Sequence, residues 1–350
     1  RTQGGAGPSL IAYNKITDQV DALGPIFDAN DNMSWSNAEG LYFSGTMPYA
    51  LYVNDGRSLL RYDVVTGQYE TVFNVNAEMG SGYALWQTHS SDDDRVHSAT
   101  LKNSNNNSDL GCVVYREDID DLTFFPKTGG YDECQIDRSG NWLVIKEDVD
   151  GRYGEDNRII NIETLDERIL LDQNGAGGHS DLGHGYMIAA DNWANEANTQ
   201  LLWKFDEYPM QGKRLYYNNE WSRQAPAHVS HTNSIPGLSP NNQFACGSSA
   251  HQGNSAHANE IICFGLTGNG ETLVVAPVMT DINASGGGST YGKAPKGNLD
   301  VTGRYFIWTS NMRSNRLDTF IVKVPGHLLP GVASAPAPQP ATIFADSFGD

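Results

Sequence analysis

A pair of short apolar runs separated by a turn recurs along this chain, and this repeat constrains the fold more than any other feature. Seven copies are found, at residues 9–20, 59–72, 112–125, 159–171, 201–217, 261–275 and 320–324. They follow one another at intervals of about 45 residues. Gly, Asn and β-branched residues interrupt any 3.6-residue periodicity, so each copy predicts a β-hairpin rather than a helix. We call these the outer hairpins.

A second kind of hairpin, the inner hairpin, lies between these copies. It has an Asp or Ser, a small turn ending in Gly or Asn, and then an aromatic and apolar run, as at residues 91–97, 137–145, 181–188, 239–245 and 300–308. Units of four strands that repeat about every 45 residues are typical of a β-propeller. We therefore predict an all-β propeller with seven blades of four antiparallel strands, in which the N-terminal strands close the ring. Six blades is the alternative, because one inner hairpin is not evident.

The charge of the chain excludes several partners. There are 42 acidic and 23 basic residues, which give a formal net charge of −19. Nucleic acids and anionic lipids require a basic surface, so neither is an expected partner. No apolar run approaches the roughly 18 residues that indicate a membrane span. We expect a monomer.

The two ends of the sequence suggest the domain organisation. Residues 1–329 are predicted to form a single propeller domain, and residues 330–350 a Pro-rich linker with a short tail. The chain begins with Arg1 and shows no signal peptide, which would fit a secretion signal that has already been removed. The prediction is a bacterial protein of the periplasm or the extracellular space.

Alignment of the inner hairpins on their turn Asp defines one position, two residues before it, on the innermost strand. Its occupants are polar: His89, Gln135, His179 and Asn298. Polar groups on strands that line a packed centre predict a functional site, although the water-filled channel of a propeller also tolerates them. The longer loops fall on one face of the predicted propeller, and loops on a rigid scaffold are where binding and catalysis usually occur.

Further candidates lie in those loops, namely Tyr153, Asn192, Trp193, His228, Tyr291 and Arg313. Imidazole and tyrosinate transfer protons, and a planar guanidinium pairs with a carboxylate. These groups suit β-elimination from a uronic acid. The predicted catalytic residues are His89, His179, Tyr153, Tyr291 and Arg313, and the predicted substrate-binding residues are Gln135, Asn192, Trp193, Asn298 and His228.

The blade pattern over roughly residues 9–325, the two His residues, the Tyr153 and Arg313 loops and a Cys/His cluster resemble the seven-bladed propeller polysaccharide lyases, and the ulvan lyases in particular. The resemblance implies His and Tyr as proton-transfer groups and Arg at the uronate carboxylate. It also implies an anionic, ulvan-like polysaccharide as the substrate, a structural zinc held by Cys and His, and no organic cofactor.

The zinc ligands implied by this resemblance are Cys246, His257 and Cys263, with His231 or His251 as the fourth. Tetrahedral zinc accepts such mixed sulfur and nitrogen sets. The alternative for Cys246 and Cys263 is a disulfide, which is natural in an exported protein. For Cys112 and Cys134 a disulfide is the prediction.

Two other functions remain open at this point. A glycoside hydrolase would need two carboxylates about 5 to 10 Å apart, and the candidates are Glu155, Asp156 and Asp191. A non-catalytic carbohydrate-binding propeller would need aromatic platforms but no proton-transfer group.

Overall fold

The computed structural model describes residues 9–14, 17–25, 42–152, 154–191, 199–217, 228–231, 238–249, 259–284, 293–300, 302–312 and 316–332. Within these ranges antiparallel strands dominate. The one α-helix among the described residues is α1 (Val75–Met79), and 3-10 turns occur at Asp172–Asn174, Pro240–Asn242 and Gly326–Leu328. No helix in this part of the chain is long and apolar enough to cross a membrane.

The N-terminal half forms one hairpin and three four-stranded sheets. The hairpin is β1 (Ser9–Asn14) with β2 (Gln19–Pro25). Blade 1 contains β3 (Tyr42–Phe43), β4 (Ala50–Asn54), β5 (Ser58–Asp63) and β6 (Tyr69–Asn74). Blade 2 contains β7 (Tyr83–Ser90), β8 (Val96–Asn103), β9 (Asp109–Arg116) and β10 (Asp121–Pro126). Blade 3 contains β11 (Gly130–Ile136), β12 (Trp142–Asp148), β13 (Asp156–Asn161) and β14 (Glu167–Leu170).

The C-terminal half forms three further sheets. Blade 4 contains β15 (Gly177–Leu182), β16 (Tyr186–Asp191), β17 (Thr199–Lys204) and β18 (Lys213–Tyr217). Blade 5 contains β19 (His228–His231), β20 (Phe244–Ser248), β21 (Glu260–Gly265) and β22 (Thr272–Pro277). Blade 6 contains β23 (Asn298–Leu299), β24 (Tyr305–Ser310) and β25 (Asp318–Lys323), which are its three strands among the described residues.

The fold is therefore a six-bladed β-propeller, and the expectation of seven blades is wrong. The predicted outer hairpin at residues 9–20 does form, as β1 and β2, but as a two-stranded sheet of its own. The N-terminal strands were expected to complete the last blade. Among the described residues β1 pairs only with β2, so these two strands add no strand to the last blade there.

The strands divide between two compact units, which we describe separately. The first comprises residues 1–136 and 143–147, and the second comprises residues 137–142 and 148–350. The core of the first unit includes Tyr52, Leu59, Leu85, Leu101 and Val113, and the core of the second includes Ile188, Leu202, Ile262, Phe264 and Leu266. The middle strands of the sheets are buried on both faces, which explains why their sequences are continuously apolar rather than alternating. The proposed boundary at residues 329 and 330 stays a prediction, since residues 333–350 lie outside the described ranges.

Both predicted cysteine pairs are joined. Cys112 on β9 forms a disulfide with Cys134 on β11, as predicted, with Cα atoms 6.0 Å apart. Cys246 on β20 forms a disulfide with Cys263, its cross-strand partner on β21. The disulfide alternative at Cys246 and Cys263 is thus the one observed, and the zinc alternative loses both of its sulfur ligands. An oxidised pair offers no thiolate to a metal.

Candidate functional site

The turns of the inner hairpins set the true alignment between blades. In four of them the first turn residue donates its backbone N–H to the carbonyl that opens the next strand. These bonds, 2.8–2.9 Å long, run from Ser91 to Val96, from Asp137 to Trp142, from Gly183 to Tyr186 and from Asp300 to Tyr305. Blade 4 therefore has Gly183 where the sequence alignment assumed Asp181, because its turn is shorter than the others. The predicted alignment of this blade is wrong by two residues.

The corrected alignment keeps three of the four predicted occupants of the inner-strand position. His89, Gln135 and Asn298 lie two residues before their turns, on β7, β11 and β23. In blade 4 the position belongs to Asp181, and His179 lies two residues farther from the turn. The four residues therefore do not occupy one equivalent position.

Blade 1 contributes a residue that the sequence analysis missed. Ser44 N–H donates to Ala50 O at 3.0 Å, which places Tyr42 at the inner-strand position. Its ring centroid lies 5.9 Å from that of His89, and its buried hydroxyl has no hydrogen-bond partner among the described residues. A phenol and an imidazole thus lie side by side. The sequence signal was weak, since β3 has only two residues and its turn lacks the usual Asp.

His179 lies at a β-bulge near the beginning of β15. Gly177 pairs with Asp191 and Ser180 with Ala189, so the strand carries one extra residue between these two pairs. Bulges re-aim side chains and are common beside active sites. The His179 side chain is exposed to solvent. An accessible imidazole on the first strand of a blade is able to accept or donate a proton.

A cluster of carboxylates, which we call the acidic loop, connects β12 to β13. One oxygen each from Asp148, Asp150 and Asp156 lies within 4.8 Å of the others. Asp156 is 1% exposed, and its two oxygens accept backbone N–H bonds from Val149 at 2.8 Å and Asp172 at 2.7 Å. Because both oxygens are held in this way and enclosed, Asp156 is a poor candidate for the carboxylate pair of a hydrolase.

Two oxygens at the acidic loop are buried and receive no hydrogen bond from the part of the chain that the structure describes. They are Oδ1 of Asp148 and Oε1 of Gln173. Gln173 reaches the loop through Nε2, which donates to Asp150 Oδ2 at 2.9 Å, and this bond is the main reason that the pKa of Asp150 lies below its usual value. The one cation among the described loop residues is Arg152, 72% exposed and 3.6 Å from Asp150.

The acidic loop can hold a hard divalent cation. Carboxylate and amide oxygens are the ligands that Ca²⁺, Mg²⁺ and Mn²⁺ prefer. Buried acceptor atoms that lack a donor gain most from such an ion, because leaving them unpaired is costly. The sequence analysis missed this cluster, although the spacing Asp148-Val149-Asp150-Gly151 was a visible signal.

Hydrogen bonds hold the acidic loop beside the beginning of β15. Asn157, the residue after Asp156, accepts from Gly177 N at 2.8 Å and donates to Gly177 O at 3.0 Å. His179 follows two residues later, a span of about 7 Å in extended chain. The beginning of β15, two residues before His179, is therefore bound to the strand that follows the acidic loop, within the second compact unit.

A second cluster of charges lies in the first unit and is differently built. Arg61 donates to Glu117 at 2.8 Å and to Glu70 at 2.8 Å. The buried His97 lies between Glu117, 3.1 Å from Nε2, and Ser90, 2.6 Å from Nδ1. The hydrogen bond from His97, with help from Arg61, lowers the pKa of Glu117 to about 2. Every charge in this network has a partner.

The remaining predicted residues lie outside the part of the chain whose side chains are described. This holds for Tyr153, Asn192, Trp193, His251, His257, Tyr291 and Arg313, and for the side chains of Asp191, His228 and His231, whose backbones belong to β16 and β19. Their roles stay predictions.

Comparison with known proteins identifies relatives by fold alone. No family model and no curated protein matches the sequence. Among solved structures, an oligogalacturonate lyase in complex with manganese aligns with a TM-score of 0.64 at 12% identity, covering 91% of this chain and 83% of that chain. The oligogalacturonate lyase of Vibrio parahaemolyticus aligns with a TM-score of 0.64 at 10% identity, with the same coverage.

Proposed function

We propose that this protein is a lyase that cleaves a saccharide containing uronic acid by β-elimination. The observation that carries the proposal is the likeness of fold to two oligogalacturonate lyases over 91% of the chain. Fold alone is an analogy, because one scaffold hosts many functions. The accessible His179 and the acidic loop, both in the second compact unit, add chemical support, because the first is a proton-transfer group and the second a candidate cation site.

The elimination assigns a role to His179. The neutral imidazole takes the proton from C5 of the uronate, and the C4–O bond breaks as the C4–C5 double bond forms. The leaving glycosidic oxygen receives a proton from the proposed partner Tyr153 or from water. The neighbouring carboxylate must be neutralised for C5 to lose its proton. Proton transfer by a positioned side chain contributes about a hundredfold or more to the rate. Tyr153 and Arg313 remain proposed partners in this reaction.

The proposal assigns a divalent cation to Asp148, Asp150 and Asp156 in place of zinc. The all-oxygen donor set fits manganese, magnesium or calcium better than a Cys and His set would. A bound cation supplies positive charge for the substrate carboxylate and reverses the sign of the local field. The three carboxylates and Gln173 hold it, and Asn157 keeps their loop beside β15.

The proposed substrate class is an anionic uronic-acid saccharide, and an ulvan-like polymer is one candidate beside oligogalacturonate. We also propose that the protein acts outside the cytoplasm. Two disulfides support this, because disulfides persist in oxidising compartments.

Ultraviolet absorbance tests the reaction directly. The protein is incubated with oligogalacturonate, ulvan, alginate and glucuronan, with and without Mn²⁺ or Ca²⁺, and the unsaturated uronate product is followed. We expect absorbance to rise with at least one substrate, and His179→Ala to lower kcat about a hundredfold. His184→Ala is the matched control, because His184 lies in the turn of the same blade and has no assigned role.

Three results would contradict the proposal in different ways. Reducing ends without ultraviolet absorbance would indicate hydrolysis, and binding without either product would indicate a carbohydrate-binding propeller. Full activity of His179→Ala would refute the assignment of the base. In that case His89→Ala, tested in the same assay, decides whether the pair of Tyr42 and His89 takes that role.

A further inference from the structure

A cavity of about 450 Å³ opens in blade 1 between the turn of the inner hairpin and the outer hairpin. One wall is residues 46–50, and the other is formed by side chains of β5, of β6 and of the turn between them. This volume falls within the range of small-molecule sites, about 300–1,000 Å³. The cavity lies within the first compact unit and shares no residue with the proposed elimination site.

The inner-hairpin wall is held rigidly by Asp94, which lies in the corresponding turn of blade 2. The Asp94 carboxylate accepts hydrogen bonds from Ser44 Oγ at 2.6 Å, from Thr46 N at 2.9 Å and from Thr46 Oγ1. Burial alone would raise the pKa of Asp94, but the bonds from Ser44 and Thr46 outweigh burial and lower it. A Cβ atom at Gly45 would lie 2.1 Å from Asp92 O, so only glycine fits there. The wall is therefore preorganised.

The charged side chains that line the cavity already have hydrogen-bond partners. Arg61 is bound by Glu70 and by Glu117, each at 2.8 Å. Asp63 accepts N–H bonds from Thr66 and Val65, both at 2.8 Å, and the bond from Thr66 is the main reason that its pKa is lowered. A uronate or sulfate would meet Asp63 and Glu70, and an amine would meet Arg61. The two carboxylates disfavour an anionic ligand, and the exposed face of the paired Arg61 gives no site for an amine.

The lining offers the surfaces that an uncharged polyol needs. Tyr69 is 43% exposed and is braced by Tyr62, with ring centroids 4.8 Å apart. Tyr49 lies on the opposite wall, and Gln68 and Thr66 add an amide and a hydroxyl. Aromatic rings cover the apolar C–H face of a sugar while polar groups bind its hydroxyls. We propose that this cavity binds one neutral sugar residue, as a second carbohydrate site separate from the elimination site.

Saturation-transfer NMR on the whole protein tests this proposal. The probes are galactose, rhamnose, xylose and glucose, compared with galacturonate as an anionic probe and glucosamine as a cationic probe. We expect at least one neutral sugar to bind in preference to both charged probes. Tyr69→Ala should weaken that binding by a factor of about two to ten, since stacked aromatics contribute about 0.5–1.5 kcal/mol and 1.4 kcal/mol is about tenfold. Gln68→Ala should weaken it less.

Tyr217→Ala is the matched control, because Tyr217 is a similarly exposed tyrosine on β18 of blade 4. It should bind the sugar as the wild-type protein does. The proposal is wrong if no neutral sugar binds, if a charged probe binds better, or if Tyr69→Ala and Gln68→Ala bind as tightly as wild type. Since Tyr69 lies outside the elimination site, Tyr69→Ala should keep its β-elimination rate on short oligosaccharides, which separates failure here from failure of the proposed function.

Discussion

The acidic loop and the Arg61 network are both clusters of carboxylates, but they differ in how those carboxylates are paired. In the network, Glu117 and Glu70 share one guanidinium, and His97 completes the hydrogen bonds of Glu117. In the acidic loop, three carboxylates converge, and buried oxygens of Asp148 and Gln173 have no hydrogen-bond donor within the described ranges. The same residue type is thus structural where a cation of the chain neutralises it. In the acidic loop the one described cation is the 72% exposed Arg152, which reaches Asp150 alone, so Asp148 and Asp156 are available to an ion from solution.

The largest expected effect comes from adding that ion. A divalent cation at a hundredfold excess over its Kd should stabilise the fold by about 2.7 kcal/mol, because it binds only the folded loop. Thermal unfolding in EDTA, and then with Ca²⁺, Mn²⁺ or Mg²⁺, measures this. Asp148→Asn keeps the side-chain shape but should reduce the shift strongly. Asp121→Asn, which removes a carboxylate outside the cluster, should not.

If no divalent cation raises the unfolding temperature, or if Asp148→Asn responds as wild type does, the acidic loop is not an ion site. The contrast with the Arg61 network would then disappear.

The second effect comes from removing the chain's own cation. Arg61→Ala leaves Glu117 without its guanidinium, and Glu117 is only 34% exposed. We expect a loss of about 2 kcal/mol in the free energy of unfolding in urea, below the range for fully buried pairs. Arg316→Ala is the control, because Arg316 is 78% exposed and its pair with Asp318 should contribute about 0–1 kcal/mol. Equal losses in the two variants would show that burial does not decide the value of these pairs.

The smallest effect is a pH dependence of the same network. The folded pKa of Glu117, about 2, lies below its ordinary value of 4.5, so its contribution is complete above pH 4.5 and is lost as the pH falls toward 2. Glu117→Gln should be less stable than wild type by about 1 kcal/mol at neutral pH, the net value of one hydrogen bond. Urea unfolding of both proteins between pH 7 and pH 3 should show that their difference in the free energy of unfolding becomes smaller as the pH falls. A difference that stays constant over that range would contradict the assignment.

Much of the fold was predictable because it is local. Six of the predicted outer hairpins form. β1–β2 forms a sheet of its own, and five lie in blades, as β5–β6, β9–β10, β13–β14, β17–β18 and β21–β22. An apolar run, a turn and a second run specify a hairpin within about 15 residues, and the Asp turn at residues 137–141 is closed by its own side chain. The inner hairpin of blade 1 was missed because its turn is held by Asp94, 48 residues away from Thr46.

The candidate site was predicted less completely. His89 and His179 were identified as polar residues on inner strands, but the bulge at His179 and the short turn at Gly183 moved them to different positions. A shift of register changes which residues are neighbours without changing the pattern of apolar residues that the sequence displays. Tyr42 and Gln173 carried no local pattern at all.

The amino-acid sequence alone determined that this chain folds into repeated antiparallel hairpins and that Cys112 and Cys134 could pair. Periodicity, turn residues and composition act over short stretches and are visible without a structure. Only the tertiary structure decided that six blades form rather than seven, that Cys246 and Cys263 are oxidised, and which carboxylates are neutralised. Those outcomes depend on contacts between residues far apart in the chain, where burial and the nearest opposite charge set the energy of each group.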